Sequence, residues 1–63
     1  MKAETRKAIE TFYSNLNTGA SLRGIREARF NAQRALVLDM TLGHEEHRAQ
    51  FDNVSRAFNS RKL

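Results

Sequence analysis

The residues in this chain best suited to chemistry are two histidines and a run of arginines. His44, Glu45, Glu46 and His47 are consecutive. On a helix, His44 and His47 stand at i and i+3, close enough for two imidazoles to reach one metal ion. The pattern is not HExxH, in which histidines at i and i+4 bracket a general-base glutamate. There is no third histidine and no cysteine. A closed zinc site takes four ligands, so one here would borrow carboxylates or be shared with a second copy. The plainer reading is a charged helix start with His47 packed beside Phe51. No metal and no other cofactor is expected.

Arg23, Arg26, Arg29 and Arg34 fall close together in the middle of the chain. On a helix they cover one broad basic side, interrupted by Glu27. Such a side can contact the phosphates of nucleic acid. It can equally be a solvated outer face whose arginine stems cover apolar surface. Phe30 is the single aromatic residue among them, whereas single-strand binders interleave several. The stretch ASLRGIREARFNAQRAL has small residues near a helix start, as helix-turn-helix proteins do, but lacks the turn glycine between two clear helices. DNA binding through these four arginines is therefore the alternative reading. The serines have no nucleophile context, and neither GxGxxG nor a phosphate-cradling loop occurs. No catalytic constellation is visible, and the protein is not expected to be an enzyme.

The elements that must position these residues follow from hydrophobic spacing. Ile9, Phe12, Tyr13 and Leu16 lie at i, i+3, i+4 and i+7, which predicts a helix over 2–17. Gly19 is its expected left-handed stop. His47, Phe51, Val54 and Phe58 mark a second face, which predicts a helix over 44–59. Glu45 and Glu46 suit its first turn and Arg61 and Lys62 its far end, through the helix dipole. The tail from 60 to 63 is expected to fray. The middle, 21–42, is ambiguous. Ser21 is a fair N-cap. Leu22, Ile25, Ala28, Ala32, Ala35 and Leu36 trace a helical stripe whose small residues would let another backbone come close. From Leu36 to Leu42 the period becomes two, which supports a strand near 34–41. A lone strand needs a partner for its backbone groups, and the same strand of a second subunit would supply one.

The chain has 63 residues, a net charge of +4 and no cysteine, proline or tryptophan. That is one domain at most, and no disulfide scaffold. A chain of this size buries only about 60% of its unfolded surface. Its large apolar residues are more than one copy is expected to cover, and oligomerisation is the remaining staple for a mini-protein without disulfides or metal. The fold expected is therefore mostly α: a small homodimer of two amphipathic helices per subunit, with a possible intermolecular strand at 34–41. Phe12, Leu16, Leu36, Leu38, Phe51, Val54 and Phe58 are the expected core and partner-binding cleft. The longest apolar run, Ala35 to Leu38, is far short of the roughly 20 residues that span a bilayer. No apolar segment follows the basic N-terminus, so a cytoplasmic protein without a membrane role is expected.

The run SLRGIREARFNAQRALVLDMTLGHEEH, in a chain ending at Leu63, resembles a family of small early proteins of lambda-like temperate phages. The group is the one encoded between the exonuclease and excisionase genes. The likeness extends over the whole chain in length and general pattern, without diagnostic motifs. It implies a dimer of two helices and one strand per subunit, and a role favouring lytic over lysogenic development. No catalytic or ligand motif of the family maps onto positions here. The function expected is that of a non-enzymatic regulatory adaptor that binds a host or phage protein.

Overall fold

Ile9 and Phe12 are three residues apart, and helical winding carries both to one side of their segment. In the computed structural model, which describes residues 1–60, that segment is α1, Ala3–Thr18. The expected roles of Arg61, Lys62 and Leu63 lie outside the described residues. Gly19 ends α1 in the left-handed region at φ 72°, where a residue with a Cβ is strained. The backbone N–H groups of Gly19 and Ala20 both turn back to the carbonyl of Asn15.

α2 spans Leu22–Leu38. Ser21 starts it: its Oγ accepts the N–H of Gly24 at 3.2 Å, satisfying one of the free donors of the first turn. Ile25, Ala28, Ala32 and Leu36 recur at helical spacing and are all buried. Ala28 and Ala32 present little bulk, so α1 packs closely along α2 and Phe12 is fully covered. α3 spans His44–Ser60 and inserts Val54 into the same core. Phe51, Ala57 and Phe58 of α3, and Tyr13 and Leu16 of α1, pack around its edge. α2 is the central element, and both other helices lie against it.

The chain is thus mostly helical, with three helices and no strand among the described residues. The middle segment is itself a full helix of 17 residues, so the described chain has three helices where two were expected. Within this chain, residues 34–38 are the last turns of α2 and not a strand, and residues 39–43 form the connection to α3. The alternation from Leu36 to Leu42 has two unrelated sources. Leu36 is the last member of the buried stripe of α2, and Leu42 folds back from the connection onto the core. Val37, Leu38 and Met40 between them are exposed. A helix also satisfies its own backbone groups, which an isolated strand in one chain does not.

Candidate functional site

The residues expected to form a cleft are mostly core. Phe12, Leu36 and Val54 are fully buried within one chain. Leu16, Phe51 and Phe58 are partly buried against them. Only Leu38 faces outward, at the end of α2. The seven residues therefore do not line one open groove in the single chain.

The four arginines divide. Arg29 turns toward α3: its guanidinium carbon lies 4.6 Å from the centroid of the Phe58 ring, a cation–π distance. Its Nη1 donates to Oε1 of Gln33 at 3.1 Å, and Nε2 of Gln33 donates to Oγ of Ser55 at 2.8 Å. The Nε of Arg29 is buried with no hydrogen-bond partner among the described residues. Arg29 thus ties α2 to α3 and is withdrawn from the basic face. Arg23, Arg26 and Arg34 are exposed, and among the described residues their guanidinium groups form no hydrogen bond or ion pair.

Between these three arginines lies an apolar stripe. Phe30 is 62% exposed, Val37 60% and Leu22 43%. Phe30 is two residues from buried Ala28, so about 3.6 residues per turn puts it nearly opposite the core. Val37 follows Phe30 by seven residues and falls only about 20° from it around the axis. Arg26 and Arg34 flank Phe30 at i−4 and i+4, on the same side of the helix. A shallow depression beside the stripe is lined by Leu22, Arg23, Arg26, Glu27 and Phe30. Leu38 and Met40 add exposed apolar surface where α2 ends, Met40 at 88%.

In the sequence the stripe is hidden, because the change of period at Leu36 suggests an earlier end to the helix. A single helix from Leu22 to Leu38 puts Phe30 and Val37 on the face opposite Ile25, Ala28, Ala32 and Leu36. That geometry was the available signal.

Elsewhere, Asp39 and Thr5 are the buried polar residues among the described ones. Oδ2 of Asp39 accepts the backbone N–H of Lys2 at 2.9 Å, and Oδ1 accepts the N–H and the hydroxyl of Thr41. The Thr41 hydroxyl is the main reason its carboxyl sits well below the usual carboxylate range. Burial pushes the other way, and bonds from Lys2, Thr5 and the Thr41 backbone add to the lowering. His47 lies beside Phe51, with ring centroids 6.0 Å apart. Among the described residues, no three His, Cys, Asp or Glu side chains gather as metal ligands. Among the same residues, no helix is long and apolar enough to cross a membrane. Comparison of the chain with family models, curated proteins and solved structures finds no match.

Proposed function

We propose that this protein is a non-enzymatic regulatory adaptor that holds a host or phage protein on the outer face of α2. One observation carries the reading: Leu22, Phe30 and Val37 are exposed along one side of a helix whose other side is packed. An unpartnered amphipathic face is the surface that helix-in-groove recognition uses. The likeness to early phage proteins supplies the setting, the cytoplasm of an infected bacterium with lytic development favoured. A homodimer belongs to this proposal as a competing occupant of the same face. Two copies pairing there would set arginines against arginines, which opposes it.

Capture from infected bacteria tests the reading. Wild-type protein serves as one bait and a folded Phe30→Glu, Val37→Glu variant as the other. A protein held by the first and lost from the second supports it. A protein held equally by both places recognition elsewhere on the molecule.

DNA binding remains the second reading, because Arg23, Arg26 and Arg34 are exposed and unpaired among the described residues. It uses three arginines rather than four, since Arg29 is engaged with Phe58. Phosphate-driven binding weakens steeply as salt rises. A mobility shift with mixed duplexes at low salt decides it, and no retarded band removes it.

A further inference from the structure

We infer that the occupant of the outer face of α2 is an acidic amphipathic helix, apolar along one stripe and lined beside it with carboxylates. The inference rests on the protein-binding reading above and specifies the partner's chemistry.

The face has the length of a helix contact. Leu22, Phe30 and Val37 span 15 residue steps, about 22 Å at 1.5 Å per residue. Arg26 lies in the same seam between Leu22 and Phe30, four residues from each, so a helix laid along the stripe would cover it. Arg23 and Arg34 stand beside the seam. Within α2 the one acid is Glu27, against Arg23, Arg26 and Arg34 on the outer face, and Arg34 also borders a depression that Lys2, Glu4 and Asp39 line. None of the three guanidinium groups has an ion-pair partner among the described residues.

Charge then selects among occupants. An apolar helix with no carboxylate would cover Arg26 without pairing it, and a buried unpaired charge is costly. A basic helix would be repelled. A second copy would bring its own arginines to the contact. A nucleic acid would pair with the arginines and could stack on Phe30, but it leaves the aliphatic Leu22 and Val37 without a role. A helix with carboxylates flanking an apolar stripe satisfies both the charges and the aliphatic side chains.

Three synthetic helical peptides of one apolar pattern test this, with flanking positions filled by glutamate, glutamine or lysine. Binding is read by fluorescence anisotropy at low and high salt, alongside single- and double-stranded mixed-sequence oligonucleotides. The glutamate peptide is expected to bind, at least about tenfold tighter than the glutamine peptide, and to weaken as salt rises. Arg26→Ala and Phe30→Ala should each weaken it by about tenfold. Both side chains are exposed, and unchanged far-ultraviolet circular dichroism separates lost binding from lost fold. Equal binding of the glutamate and glutamine peptides overturns the acidic partner but leaves protein docking on α2 intact. Binding of oligonucleotides alone overturns both. Silence from every probe overturns the acidic helix, and the capture experiment then judges protein docking separately. Self-association that Phe30→Glu abolishes replaces the acidic helix by a second copy.

Discussion

The carboxylate of Asp39 accepts the backbone N–H of Lys2 at 2.9 Å, 37 residues away in sequence. Lys2 is the N-cap residue of α1 and its own side chain makes no cap. The residue that follows α2 thus supplies a negative charge to the start of α1, where the helix dipole favours it. The same carboxylate accepts the N–H of Thr41 two residues on, which turns the chain away from α2 toward α3. One side chain joins the start of the first helix to the connection before the third.

Acid should weaken the fold through this group. The folded carboxyl is held below the ordinary aspartate value of 3.8, so the charged form is the one that folding favours. Its contribution is complete above that value and fades as the pH falls below it. Asp39→Asn should be less stable than wild type at neutral pH and should converge with it in strong acid. Urea denaturation at several pH values reads the difference. A constant gap down to strong acid would mean that the Asp39 charge does not act.

Phe12 and Val54 come from the first and third helices and meet in one core. Phe12→Ala should cost about 3–5 kcal/mol, which is most of the stability of a small domain. Phe30→Ala, on the outer face, should fall within about 0.5 kcal/mol of wild type. Thermal denaturation followed by circular dichroism compares the two. Similar losses would contradict the assignment of inner and outer faces.

The first and third helices were legible because Ile9, Phe12, Phe51 and Val54 keep one period from end to end. Ser21 and Gly19 were legible as boundaries because each acts locally, Ser21 through its hydroxyl on the N–H of Gly24 and Gly19 through its left-handed backbone. The second helix was obscured at its end. Leu36 closes a buried stripe, and exposed Val37, Leu38 and Met40 then follow it for reasons unrelated to the core. The expected cleft was a list of the most apolar periodic positions, and all of them but Leu38 go into or against the core that the three helices share. The split among the arginines was not legible. It depends on Phe58, nearly thirty residues on, arriving beneath Arg29 and not beneath Arg26.

Arg29 and Arg26 should therefore behave oppositely. Arg29→Ala removes the contact with Phe58 and the bond to Gln33, and should destabilise by about 1–2 kcal/mol. It should leave peptide binding to the outer face of α2 nearly unchanged. Arg26→Ala should leave stability within about 0.5 kcal/mol and weaken the binding. Urea denaturation and anisotropy on the same two variants give both readouts. Loss of binding in Arg29→Ala without loss of stability would return that arginine to the basic face.

Gly19 and Gly24 make opposite demands on a methyl group. Gly19 has φ 72°, where any L side chain is strained, although nothing lies within 4 Å of the added carbon. Gly19→Ala should therefore destabilise by about 1 kcal/mol through the backbone alone. Gly24 lies in the first turn of α2 with ordinary helical geometry, and an added Cβ would meet Oγ of Ser21 at 3.5 Å, an ordinary contact. Gly24→Ala should stabilise by about 0.5 kcal/mol, because the unfolded chain loses freedom that the helix does not use. The Ser21 cap limits the gain if the methyl group displaces its hydroxyl. Ser21→Ala in both backgrounds separates the two effects: equal costs mean that the cap survives in Gly24→Ala, and a smaller cost in that variant means that the methyl group has already broken it.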